Sequence, residues 1–66
     1  MTPLRERITG ALRLQPMSIT QVARCLSVEP ETARQALRRL ERKGAVRVHG
    51  WIRRGRYNAL AFEVAP

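Results

Sequence analysis

The chain has 66 residues and a formal net charge of +8 at pH 7, from 13 basic and 5 acidic side chains. Its length accommodates one domain, expected over residues 1–66, and leaves no room for a second, ligand-sensing domain. The sequence has one cysteine, no apolar run of membrane length and no signal-peptide core. It therefore excludes an internal disulfide and predicts a complete, cytoplasmic protein that starts at Met1.

Composition also argues against catalysis. The chain has one histidine, no aspartate and five scattered glutamates, so it offers no paired carboxylates, activated nucleophile or set of metal ligands. We therefore expect no enzyme activity and no cofactor, metal or small-molecule ligand. Cys25 lies among apolar residues of a predicted helix, which favours a small buried thiol over a reactive one.

The first predicted helix extends to about Leu14, with Thr2 as its N-cap and Pro3 at its first helical position. Gly10 lies inside this helix, where glycine costs up to about 1 kcal/mol relative to alanine. We interpret Gly10 as a point of close packing against a neighbouring element. The apolar stripe of the helix consists of Leu4, Ile8, Ala11 and Leu12.

A second helix is predicted from about Ile19 to Leu26. Gln15-Pro16 ends the first helix, and Ser18 and Gln21 have the spacing of a capping box, in which each side chain bonds the backbone amide of the other residue. Its inward residues are expected to be Ile19, Val22, Ala23 and Leu26. The two residues Ser27-Val28 are long enough only for a turn before the next helix.

The third predicted helix, residues 30–43, has an apolar inner side and a cationic outer side. Glu29 is its expected N-cap, Pro30 its first residue, and Gly44 ends it in a left-handed cap. At about 100° per residue, the inner side consists of Ala33, Leu37 and Leu40 with Ala36 at its edge, and the outer side of Gln35, Arg38, Arg39 and Arg42. A helix built in this way is suited to lie against a polyanion.

A β-hairpin is predicted after Gly44, because apolar residues then alternate with polar or small ones. A three-residue loop, Arg54 to Arg56, pairs Val48 with Phe62 and Val46 with Val64, whereas a two-residue loop at Arg54-Gly55 would mix the faces. The inward residues are then Val46, Val48, Leu60, Phe62 and Val64. The opposite face consists of Arg47, His49, Trp51, Arg53, Tyr57 and Ala59.

Three helices followed by a hairpin with a basic tip resemble a winged helix-turn-helix, a mainly α fold with a small β-hairpin. Between Ser18 and Val48 the sequence resembles the helix-turn-helix of small bacterial or phage proteins and of bacterial repressors of the GntR type. Its wing, residues 48–56, is similar to wings of small phage and mobile-element proteins. Two positions differ, since Ser27 stands where such turns often have glycine and Glu29 where the cap is often serine.

The resemblance implies that the third helix enters the major groove with its N-terminal half towards base edges. The implied base-reading residues are Glu31, Thr32, Arg34, Gln35 and Arg38. Arginine pairs with guanine and glutamine with adenine, so Arg34, Gln35 and Arg38 are the best candidates. A helix-dipole role is favoured for Glu31 and phosphate contact for Thr32.

Other cationic residues are expected to position the protein on the DNA backbone. The implied contacts are Arg39 and Arg42 on the helix and Arg53, Arg54 and Arg56 at the wing tip, which meets backbone or minor groove. A solvated hairpin tip is the alternative interpretation of the wing arginines. His49 is interpreted as an ordinary surface histidine.

Trp51 and Tyr57 leave three interpretations open: a dimer contact, packing against DNA sugar, or local cross-strand packing of aromatic rings on arginine. The leading functional hypothesis is a sequence-specific binder of double-stranded DNA that acts as a small transcriptional repressor by occluding a promoter. The alternatives are an architectural, excisionase-like DNA binder, and a winged helix that binds protein or RNA.

The arginine bias supports a nucleic-acid partner, because twelve of the 13 basic residues are arginine and its planar guanidinium bonds phosphate and guanine through two atoms at once. Coding bias in a G·C-rich genome is the alternative explanation.

Overall fold

Three helices and three strands occur in the part of the chain that the structure describes. The structure is a computed structural model, which describes residues 2–66 without the side chain of Arg54. The elements are α1 (Leu4–Leu14), β1 (Met17–Ser18), α2 (Ile19–Leu26), α3 (Pro30–Arg42), β2 (Val46–Arg54) and β3 (Tyr57–Val64). The predicted three-helix winged helix-turn-helix is confirmed. No helix within residues 2–66 is long and apolar enough to cross a membrane.

Helix α1 ends at Leu14 as predicted, but its N-terminus differs by one residue. Pro3, not Thr2, is the N-cap, since its ψ of 149° is not helical and its carbonyl accepts the amides of Glu6 and Arg7 at 3.1 Å. The prediction that Gly10 packs closely against a neighbouring element was wrong. Gly10 is exposed, and a Cβ placed there would meet no heavy atom within 4 Å.

Helix α2 begins with the predicted capping box. The amide of Gln21 donates to Ser18 Oγ at 3.3 Å, and the amide of Ser18 donates to Gln21 Oε1 at 2.9 Å. The C-cap is Ser27, whose φ of 56° is left-handed, and this conformation explains why glycine is common in such turns. Arg7 of α1 donates to the last carbonyl of α2, Leu26 O, at 3.0 Å.

The prediction that the Cys25 thiol is buried in α2 was wrong, because Cys25 is exposed. Val22 and Ala23 are the buried residues of this helix. At about 100° per residue, Cys25 lies roughly 110° from the centre of the inward side. Apolar neighbours in the sequence therefore do not make it a core residue.

Helix α3 has the predicted two sides. Ala33 and Leu37 are 0% exposed, and Leu40 is buried beside them. Helical residues end at Arg42, Lys43 is the C-cap, and Gly44 follows with φ of 78°. The core to which α3 contributes consists of Ile8, Ala11, Leu12, Met17, Val22, Ala23, Ala33, Leu37, Leu40, Val46 and Phe62.

The sheet has the strand order β1-β3-β2 and includes one strand that the sequence did not predict. Strand β1 pairs antiparallel with β3, Met17 opposite Phe62 and Ser18 opposite Ala61. Two residues are too short to show an alternating pattern. They bring Met17 into the core and hold the start of α2 against the sheet.

The hairpin has the predicted pairs near the core but a different turn. Val46 pairs with Val64 and Val48 with Phe62, whereas Arg54 pairs with Tyr57 across a two-residue turn, Gly55-Arg56. The predicted three-residue loop was therefore wrong. Gly55 has a φ of 61°, the sign required at the first position of a type II′ turn.

A β-bulge at His49 reconciles this turn with the core. The register shifts by one residue between Val48 and Gly50, and Gly50 has a φ of 138°, which side chains larger than hydrogen rarely allow. Without this extra residue, the turn would place Val46 opposite Ala65 instead of Val64. The bulge therefore keeps Val46 opposite Val64 and keeps Phe62 in the core.

The bulge also reverses which residues of β2 share a face beyond His49. Trp51 pairs with Leu60 and Arg53 with Asn58, while Ile52 pairs with Ala59, and directly paired residues lie on the same face. Trp51 and Arg53 therefore lie on the face of Leu60 and Phe62. The prediction that they share a face with Tyr57 and Ala59 was wrong.

Candidate nucleic-acid interface

The outer side of α3 presents an uninterrupted polar and cationic surface. Gln35, Arg38, Arg39 and Arg42 are exposed and together line a shallow, open depression. The surface results from the helical period, because the opposite side of the same turns is fixed in the core by Ala33 and Leu37. The structure thus brings together four of the residues that the sequence assigned to DNA contact.

The first turns of α3 contain an ion pair between two of the predicted base-reading residues. Arg34 Nε donates to Glu31 Oε2 at 3.0 Å, and Arg34 Nη2 donates to Glu31 Oε1. Gln35 Nε2 lies 3.4 Å from the same Oε1 atom. The hydrogen bonds from Arg34 lower the pKa of Glu31 below its ordinary value of 4.5, although partial desolvation opposes the shift.

This contact was not predicted, although residues three apart on a helix are neighbours and Glu31 and Arg34 have that spacing. Thr32 is exposed and lies on a flank of α3, about 90° from the centre of the buried side. The base-reading residues predicted from the sequence are therefore all exposed, and Glu31, Arg34 and Gln35 are joined to each other, whereas Thr32 and Arg34 lie on opposite flanks of the helix.

The hairpin tip forms a second basic surface. Arg53 and Arg56 are exposed, and the side chain of Arg54 lies outside the described residues. Arg53 Nε donates to Gly55 O at 3.4 Å. An open cleft beside the tip is lined by Gln15, Pro16, Gln21, Ile52, Arg53 and Gly55. The described part of the tip therefore borders the α1–α2 connection.

Glu63 of β3 joins two basic side chains of β2. Arg47 Nε donates to Glu63 Oε2 at 2.6 Å, and His49 Nδ1 lies 2.6 Å from Glu63 Oε1. These contacts, His49 first and Arg47 second, lower the pKa of Glu63. The predicted pairing placed Arg47 opposite Glu63, so this ion pair could have been predicted from the sequence.

Trp51 and Tyr57 are both exposed, by 70% and 77%, but they lie on opposite faces of the hairpin. Trp51 is directly opposite Leu60, which is 36% exposed, and near Val48, which is 44% exposed. We call Val48, Trp51 and Leu60 the Trp51 patch. Tyr57 lies beside Ala59 in a shallow cleft that also includes Ser18, Thr20, Gln21 and Arg24.

Comparison with known protein families agrees with this geometry. A family model described as a helix-turn-helix domain matches residues 1–49, which comprise the elements from α1 to α3 and the first part of β2. The match includes the cationic surface of α3 and ends at His49, so the outer half of the hairpin lies beyond it. No curated protein matches the chain.

Proposed function

Since the chain belongs to the helix-turn-helix domain family, a family of DNA-binding domains, we propose that it is a sequence-specific transcriptional regulator that represses by occluding a promoter. The observation that carries the proposal is the exposed surface of Gln35, Arg38, Arg39 and Arg42 on a helix fixed in the core. Its arginines match the charge and geometry of phosphate and guanine. We also propose that the protein comes from a bacterium or a phage and is located in the cytoplasm.

In the proposed complex, α3 lies in the major groove. Arg34 and Arg38 pair with guanine and Gln35 with adenine, because these side chains offer the two-atom contacts that base edges accept. Arg39 and Arg42 lie further along α3 and contact phosphate, which fixes the register of the protein on the duplex. Thr32, on the flank of the helix, contacts phosphate as well.

The wing contacts the neighbouring backbone or minor groove through Arg53, Arg54 and Arg56. The exposure of Arg53 and Arg56 supports this assignment, and the assignment of Arg54 rests on the sequence alone. Arginine is favoured in a narrow minor groove, where the negative potential of the phosphates is concentrated.

Salt dependence tests groove binding directly. A helix and a wing that together neutralise about six phosphates give a slope of log K against log[salt] of about −5 per protomer. Fluorescence anisotropy with a labelled duplex, repeated from low to moderate salt, measures this slope. A slope near zero, or tighter binding to single strands than to duplex, would contradict the proposal.

An architectural role is the second candidate, and the Trp51 patch favours it because such a patch offers a contact between neighbouring protomers on DNA. The ratio of specific to non-specific affinity at one salt concentration separates the two roles. A ratio of about 10³ or more indicates the regulator. A small ratio together with DNA bending indicates the architectural protein.

The proposed homodimer uses the Trp51 patch. Trp51→Ala then weakens self-association on a two-site duplex while changing the free energy of unfolding by less than about 1 kcal/mol, compared with roughly 3–5 kcal/mol for a buried tryptophan. Tyr57→Ala is the matched control, because Tyr57 is equally exposed on the opposite face. Sedimentation and thermal unfolding measure the two quantities. Unchanged association in Trp51→Ala would leave DNA sugar contact or local packing as the role of this ring.

A further inference from the structure

The contact of Glu31 with Arg34 and Gln35 sets the direction in which both neighbours point. The carboxylate of Glu31 accepts hydrogen bonds from Nε and Nη2 of Arg34, which form one edge of the guanidinium group. The same carboxylate oxygen that receives Nη2 lies near the amide nitrogen of Gln35. Glu31 therefore restrains Arg34 and Gln35, two of the three side chains best suited to read bases.

The restraint leaves the base-reading atoms of Arg34 available. A guanidinium has five N–H donors, and Glu31 occupies two of them along the Nε edge. The remaining donors, two on Nη1 and one on Nη2, form the outer end of the group. A pair of donors at this end has the spacing that guanine O6 and N7 accept.

The amide of Gln35 also keeps what adenine requires. Its nitrogen uses one N–H towards Glu31 and retains a second, while its carbonyl oxygen remains an acceptor. Adenine presents N7 as an acceptor and the N6 amino group as a donor, so these two atoms of Gln35 suffice. Glu31 thus removes rotational freedom from both side chains and still leaves N–H bonds on Arg34 and Gln35 for contact with DNA.

Resting on the proposed function, we infer that Glu31 is a positioning residue that sets the specificity of the recognition helix. Holding Arg34 and Gln35 in place reduces the entropy lost when they meet the correct bases. Pairing also keeps Arg34 from turning towards phosphate on unrelated duplexes, and the carboxylate itself repels phosphate. Glu31 therefore raises discrimination between duplexes more than it raises affinity.

The test compares Glu31→Gln with Glu29→Gln. Both variants remove one negative charge at the N-terminus of α3, but the side chain of Glu29 makes no capping hydrogen bond there. In Glu31→Gln, non-specific affinity rises and the ratio of specific to non-specific affinity falls by about fivefold. In Glu29→Gln both affinities shift together and the ratio is unchanged. An unchanged ratio in Glu31→Gln, or an equal fall in both variants, overturns the inference.

A second measurement needs no DNA. The carboxyl group of Glu31, followed by NMR from pH 7 to 2.5, titrates below its ordinary pKa of 4.5 in the unsubstituted protein and returns towards that value in Arg34→Ala. If Glu31 titrates at its ordinary pKa in both proteins, Glu31 does not hold Arg34 in place, and the inference is overturned whatever the affinities for DNA.

The two measurements separate the inference from the proposed function. A protein that shows the lowered Glu31 pKa but binds no duplex contradicts the proposed function, and with it the role in specificity. A protein that binds duplex with a ratio insensitive to Glu31→Gln contradicts only the positioning role.

Discussion

Helix α3 and the β2–β3 hairpin both carry several arginines, yet the fold supports them differently. The arginines of α3 stand on a helix whose inner residues, Ala33 and Leu37, are completely buried. Those of the hairpin lie beyond the bulge at His49, where the strands have left the core and Trp51 is mostly exposed. A rigid helix holds side chains to the accuracy that base recognition requires, whereas a projecting hairpin is better suited to follow the phosphate backbone.

This comparison predicts a large difference between two leucine truncations. Leu37→Ala lowers the free energy of unfolding by about 2–5 kcal/mol, because it leaves a cavity under α3. Leu60→Ala, in the outer half of the hairpin, costs less than about 1.5 kcal/mol, since the side chain is already partly in water. Urea denaturation followed by circular dichroism measures both values. Equal losses would show that the outer hairpin is packed as firmly as α3.

Two glycine substitutions are expected to change the free energy of unfolding in opposite directions, and they sharpen the comparison. Gly50→Ala destabilises by about 1–3 kcal/mol, because the residue sits in a backbone region that alanine rarely adopts, while Gly10→Ala stabilises α1 by about 0.5–1 kcal/mol. Neither added Cβ meets an atom within 4 Å, so the difference reflects backbone conformation alone. Thermal unfolding of the two variants provides the test. A stabilising Gly50→Ala would mean that the bulge is absent in solution.

The helical part of the fold was predictable because its signals are local. The capping pair Ser18 and Gln21 marked the start of α2, and the spacing of Ala33, Leu37 and Leu40 identified the buried side of α3. The same local geometry, applied to Cys25, would have placed that residue outside the core.

The outer hairpin was not predictable to the same degree, because the face of a strand depends on register. One extra residue at His49 moves Trp51 from one face to the other. The inner pairs, Val46 with Val64 and Val48 with Phe62, were still predicted correctly, but the expectation that Val48 and Leu60 face inward was wrong, because both are exposed. In the candidate site, the exposed cationic face of α3 was predictable from the helical period of the apolar residues. The Glu31–Arg34 contact depends instead on the three-residue spacing of these two side chains along the surface of the helix.

The central claim is that α3 reads the sequence and the hairpin positions the protein. Its most direct test measures the binding of Arg38→Ala and Arg56→Ala to the preferred duplex, to single-base variants and to unrelated duplex over a range of salt. Arg38→Ala is expected to weaken binding to the preferred site by about 5- to 150-fold and to relax base preference at one position. Arg56→Ala is expected to weaken all duplexes alike and to make the salt slope less steep by about one. If both variants lost affinity equally on every duplex with base preference unchanged, the division between reading helix and positioning hairpin would be wrong.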